Sequence, residues 1–171
     1  MGRTISSGLV KRGKLWHIRK QIYGHRLRES TGTELLSEAE SYLARRIEEI
    51  RQAKVYGVRP KRSFKEAATK YLLENQHKAS ISGDADNLKL VCHYIGDLTL
   101  EQVHNGTLLP FIQSRQSAGR KTKTINNALE VVRHILNLAA NQWIDDNGLT
   151  WMHAASKIKL LPVHDARDPY P

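Results

Sequence analysis

Two periodicities divide the chain. In Leu15-Trp16-His17-Ile18-Arg19-Lys20-Gln21-Ile22, the apolar Trp16, Ile18 and Ile22 fall on one face of an extended strand, with His17, Arg19 and Gln21 on the other. That alternation predicts a half-buried strand with one packed and one wet face. Arg12-Gly13 before it and Tyr23-Gly24-His25 after it have turn chemistry, and Arg26-Leu27-Arg28-Glu29-Ser30 resumes the alternation with Leu27 inward. A small antiparallel sheet of three strands, starting near Leu9, is expected. Three short strands need a cover. Ser37-Glu38-Ala39-Glu40 has the form of a capping box, and Ala39, Leu43, Ile47 and Ile50 recur behind it at helical spacing until Gly57 and Pro60. This helix is expected to lie on the sheet.

From residue 63 onward the period is helical. Pro60-Lys61-Arg62 reads as a linker, and Ser63-Phe64-Lys65-Glu66 is a second capping box. Phe64, Ala67, Ala68, Tyr71 and Leu72 form one stripe; Leu88, Val91, Cys92 and Ile95 form the next, closed by Gly96. Thr107 is placed to cap a helix carrying Leu108, Phe111, Ile112 and Arg115. Ile125, Ala128, Leu129, Val132, Ile135, Leu136, Ala139 and Trp143 mark the longest helix, with Thr122 and Thr124 as candidate caps. The expected class is therefore α+β: a three-stranded sheet with a covering helix over residues 1–59, then a four-helix domain over 60–164. Trp151 is expected to anchor the weaker pattern after Asn147, and 165–171 to be a linker.

Charge sharpens this division. The 171 residues carry 27 Lys and Arg against 17 Asp and Glu, a net of +10. Of these, residues 1–62 hold 15 bases and 6 acids, and residues 1–28 hold eight bases with no acid before Glu29. Such a block repels itself unless a polyanion covers it, and nucleic acid leads the partners it predicts. A disordered basic tail is the simpler alternative, but a tail does not require strand periodicity. The single cysteine, Cys92, excludes an internal disulfide, and lying on an apolar stripe it reads as core rather than nucleophile. The eight histidines are scattered, so neither a metal site nor any cofactor is expected. Glycine-rich phosphate loops, nucleophile elbows and helix-borne metalloprotease motifs are absent from the sequence. No apolar run reaches membrane length, the first six residues match only the short myristoylation pattern, and a cytoplasmic location without membrane contact is expected.

Two surfaces are candidates for gripping phosphate. The first is the sheet, through Lys14, His17, Arg19, Lys20, Arg26 and Arg28, since small sheets fit the major groove. The second is the start of the longest helix: Arg120, Lys121, Lys123 and Thr124, with Asn126 and Asn127 able to bond base edges or phosphates. Free N–H groups and the helix dipole favour an anion there. Arg133 extends this patch if its face is outward.

These residues resemble a family. Trp16-His17-Ile18-Arg19 and Gly24-His25-Arg26-Leu27-Arg28-Glu29-Ser30-Thr31-Gly32-Thr33, leading to a helix that begins Glu38-Ala39-Glu40, are similar to the arm-binding region of phage-type tyrosine recombinases, or integrases. Ser63-Phe64-Lys65-Glu66-Ala67-Ala68, the run Ile95 to Val103, and Thr122-Lys123-Thr124-Ile125-Asn126 before a long apolar helix resemble that family's SAM-like core-binding domain. The resemblance spans nearly the whole chain. One departure is Asn127, where the family often carries Arg.

The resemblance implies the DNA-binding front end of a phage or prophage site-specific recombinase, with residues 1–59 on arm-type and 60–164 on core-type attachment-site DNA. Other recombinase protomers and accessory DNA-bending proteins are the further partners it implies, in a bacterial host. The family's catalytic domain supplies the arginines, lysine, histidines and nucleophilic tyrosine of strand transfer, and these residues are expected to bind without cutting. His164-Asp165-Ala166-Arg167 has the family's His-x-x-Arg spacing, with Tyr170 behind it, but lies among Pro162, Pro169 and Pro171 and is read as non-catalytic. A stand-alone DNA-binding regulator or competitor of a full-length recombinase is the alternative, and an RNA-binding protein a third reading.

Overall fold

The computed structural model describes residues 8–163, and it divides into two compact units: residues up to Arg59 with Asp146–Leu149, and Pro60–Asp145 with the residues from Thr150 onward. The fold class is α+β. His164, Arg167 and Tyr170, like Arg3, lie outside the described residues.

In the first unit, β1 (Leu9–Arg12), β2 (Leu15–Ile22) and β3 (His25–Ser30) form an antiparallel sheet in the order β1-β2-β3. Both hairpins turn through two residues. At the second, Tyr23 and Gly24 both have positive φ (48° and 78°), the type I′ geometry that matches the right-handed twist of the strands. One face of the sheet carries Leu9, Trp16, Ile18, Ile22 and Leu27, all buried against Ala39, Leu43 and Ile50 of α1 (Leu36–Tyr56).

The start of α1 differs from the sequence reading. The helix begins at Leu36, so Ser37 lies inside its first turn and makes no capping bond. Thr33 takes that role: its hydroxyl accepts the Leu35 N–H (3.1 Å) and donates to Glu38. The reason lies in the sheet, because the Trp16 carbonyl accepts both the N–H and the hydroxyl of Thr31, and Trp16 N–H reaches the Thr33 carbonyl. The Ser30-Thr31-Gly32-Thr33 string is thus the joint that welds β3 to α1, with Gly32 at φ 71°. At the other end, Gly57 (φ 66°) closes α1, its N–H and that of Val58 bonding the carbonyls of Ala53 and Gln52.

The second unit is helical: α2 (Phe64–Glu74), α3 (Ile81–Ile95), α4 (Asn105–Ser117) and α5 (Thr122–Asn141), with a 3₁₀ turn at Leu100–Gln102. Ser63 and Glu66 form the expected capping box on α2. Two other caps are corrected. His104, not Thr107, caps α4, its Nδ1 accepting the Gly106 N–H while Thr107 accepts the His104 N–H. Neither Thr122 nor Thr124 caps α5, which opens at Lys121 without a side-chain cap. Phe64, Tyr71, Leu88, Val91, Ile95, Leu108, Phe111 and the apolar face of α5 share one core, to which Trp143, Met152 and Ile158 also belong. Trp151 is only half-buried, its ring tilted 58° against that of Trp143 with centroids 5.0 Å apart, and the Arg62 guanidinium lies 4.2 Å from its ring centre. Cys92 packs at the edge of the core, and burial pushes its thiol up, away from the thiolate a nucleophile needs.

One polar group is built into that core. The Tyr71 hydroxyl donates to the buried Asp84 carboxylate (2.7 Å), and Lys78 Nζ reaches the same oxygen (2.7 Å). Burial pushes the Tyr71 hydroxyl up, and the bond to Asp84 holds Lys78 above the usual lysine range. Both groups bind their protons more tightly folded than unfolded, so their stabilisation is complete below about pH 10 and fades as pH rises through the raised values. The melting temperature of the helical unit should therefore hold up to about pH 10 and fall as pH rises beyond it, and fall less in Tyr71→Phe; an equal fall in that variant would assign the loss to other groups.

Candidate functional site

The strand register decides which basic side chains share a surface. Arg19 stands directly across from Arg28, Gln21 from Arg26, His17 from Ser30 and from Val10, and Arg12 from Leu15. Since cross-strand partners point to the same side, the open face of the sheet presents Arg12, His17, Arg19, Arg26 and Arg28. The four arginines are exposed, and none forms an ion pair with a described residue. His17 is half-buried between them, and a shallow depression whose lining includes Arg12, His17, Arg19, Arg28 and Ser30, with Glu29 at its edge, opens there.

The acid of β3 is turned away. Glu29 pairs in register with Ile18 on the packed side, and its carboxylate accepts from Arg46 Nε of α1 at 2.8 Å. Arg46 also bonds Glu49. No outward position of the three strands carries a carboxylate. Like charges directly opposite on a sheet are unfavourable. A face that sets Arg19 against Arg28 without a neutralising acid holds repulsion that a polyanion would relieve. Three strands at about 4.8 Å spacing make a ridge about 10 Å across, within the roughly 12 Å width of a DNA major groove.

Two corrections follow for the sheet. Lys20 pairs with Leu27 and so falls on the packed side, where its stem lies 3.0 Å from the Cβ that a side chain at Gly8 would have; it does not share the face of Arg19. Arg12 was not among the expected contacts and belongs to that face. The signal for it was the two-residue turn, since Gly13-Lys14 sets Arg12 against Leu15. Lys14 lies exposed in that turn, at the end of the sheet.

On the helical unit, Arg120, Lys121 and Lys123 are exposed around the uncapped start of α5, with Thr124 exposed beside them. Asn126 does not join them. It is 6% exposed, and its amide is used on the backbone of Leu161, donating to the carbonyl (2.9 Å) and accepting the N–H (2.8 Å). Asn127 is exposed but lines a depression with Tyr71, Asp84, Glu130 and His134. Arg133 is exposed, yet it lies ten residues, about 15 Å, along the helix from Lys123, with the exposed Glu130 on the stripe between them. The second surface therefore contracts to the first turn of α5.

Among the described residues no group of three or more His, Cys, Asp or Glu is placed to hold a metal ion, and no helix is long and apolar enough to cross a membrane. Compared with known proteins, the chain matches no family model, no curated protein and no solved structure.

Proposed function

We propose that this chain is the DNA-binding front part of a site-specific recombinase of the phage integrase type, with the sheet unit on arm-type DNA and a SAM-like helical unit on core-type DNA. The acid-free arginine face carries this reading. Its four guanidinium groups, Arg12, Arg19, Arg26 and Arg28, are held on a ridge of groove width, while Glu29 is drawn to the opposite side by Arg46. Guanidinium groups suit phosphate and guanine edges because their planar donors bond in pairs. The start of α5 adds a second anion-seeking surface of the kind helix N-termini provide. The order of these features along the chain is the order the family resemblance implies, and strand cleavage would fall to a catalytic domain outside these residues.

The test is salt. If at least six basic side chains neutralise phosphates, the log-log slope of affinity against salt should be roughly −5 or steeper, and affinity for duplex DNA should drop at least roughly a thousandfold between 50 and 200 mM. Fluorescence anisotropy on a duplex long enough for both units measures this. A nearly flat dependence, or a preference for structured RNA in competition, would overturn the proposal. On candidate attachment DNA, footprinting should show two separate protected regions, one lost when the sheet arginines are removed.

A further inference from the structure

Two asparagine side chains hold residues 157–161 as a neighbouring strand would. Asn105, the first residue of α4, donates its amide to the Lys157 carbonyl (2.9 Å) and accepts the Lys159 N–H (2.8 Å). Asn126, in the second turn of α5, does the same with both backbone groups of Leu161. A buried amide is costly unless its donor and acceptor are both used, and Asn126 meets that condition with this segment alone. Between the two clamps Ile158 is 3% exposed and belongs to the helical core, with Leu160 and Leu161 packed against it.

The alternation of an extended chain then dictates what faces outward. With Ile158 inward, Lys157 and Lys159 project to solvent; both are exposed, and neither forms an ion pair with a described residue. Their backbone is already ordered, so binding an anion costs only side-chain freedom. Two residues of extended chain span about 7 Å, the axial rise of two nucleotides on one DNA strand. Leu161 sits on the second turn of α5, which places Lys159 two residues from the helix whose first turn carries Lys121 and Lys123.

We infer that residues 157–161 are a pinned strap whose Lys157 and Lys159 extend the phosphate-contacting surface of the helical unit, with Asn105 and Asn126 as positioning residues. This rests on the duplex-binding reading above and adds to it residues that the charge pattern alone did not single out. Two lost phosphate contacts reduce the salt slope by about 1.8 and weaken binding roughly thirtyfold at 0.15 M salt.

The experiment compares wild type, Lys157→Ala/Lys159→Ala, Asn105→Ala and the triple variant, all as the full chain, on one duplex across a salt series, with amide hydrogen exchange at Lys159 and Leu161 read in parallel. The lysine pair should lose the stated slope and affinity while both amides stay protected. Asn105→Ala should lose protection at Lys159 and part of the slope, and adding the lysine changes to it should cost less than they cost alone. A purely structural role for Asn105 would alter stability but leave the slope at its wild-type value. If wild type binds with the expected steep slope and the lysine pair matches it, the strap inference is overturned and the sheet reading stands. Failure of wild type to bind duplex DNA at all would remove both.

Discussion

With Arg12, Arg19, Arg26 and Arg28 all replaced by Ala, the chain should bind a generic duplex roughly a thousandfold more weakly than wild type at 0.15 M salt, with a salt slope shallower by about 3.6. The magnitude assumes that each guanidinium neutralises one phosphate. The variant should fold, because all four side chains are exposed on the face opposite α1 and form no ion pair with a described residue. Removing Arg19 and Arg28 together also removes a like-charge pair across β2 and β3, so the sheet should be no less stable than before. Thermal melts and the exchange protection of β2 amides check the fold, and anisotropy checks the affinity. A folded variant that binds as wild type does would refute the placement of DNA on this face. Lys20→Ala supplies the contrast, since Lys20 belongs to the packed side, and its effect should be far smaller than that of Arg19→Ala.

The second large effect concerns packing. Ile18 is 2% exposed, at the centre of a core whose buried members number eight: five from the sheet and three from α1. Ile→Ala in a core costs about 2–5 kcal/mol, whereas a unit of some fifty residues is stable by only roughly 3–8 kcal/mol. Ile18→Ala should therefore leave the sheet unit largely unfolded or close to it, and with it the arginine ridge should be lost. Hydrogen exchange should show β2 and β3 amides unprotected, and duplex affinity should fall at least as far as in the four-arginine variant. Leu129→Ala, fully buried in the other core, is the matched control for a lesion in the helical unit. Should Ile18→Ala keep its β2 amides protected and bind at wild-type strength, the small core would not be what orders the arginines.

What could be read from the chain and what could not divide along a physical line. Period-two alternation in 15–22 and 26–30, and period-3.6 stripes from Phe64 to Trp143, are local signals. Each residue's side of a strand or helix follows from its neighbours' sides, so the three strands, the covering helix and the α+β class were legible. The side taken by Lys20 is also a local signal: it shares the parity of Ile18, although it stands beside Arg19 in the charge run. The start of α1 depends on a partner from elsewhere, whereas the cap of α4 at His104 and the uncapped start of α5 are local. Ser37-Glu38-Ala39-Glu40 has the composition of a capping box, yet Thr33 holds the end of α1 because Trp16, fifteen residues before Thr31, fixes the approach.

The sequence by itself determined the alternations and stripes, the excess of positive charge before residue 63, and the absence of any familiar catalytic motif. Only the tertiary structure decided that Glu29 turns to Arg46 and leaves the arginine face without an acid, that Asn126 is spent on Leu161 thirty-five residues away, and that Lys157 and Lys159 are displayed on a pinned strap. The reason is that a side chain's chemistry is written at its own position. Whether that chemistry is free for a partner depends on which distant backbone or charge comes within hydrogen-bond reach, and chain folding settles that through contacts no local pattern encodes.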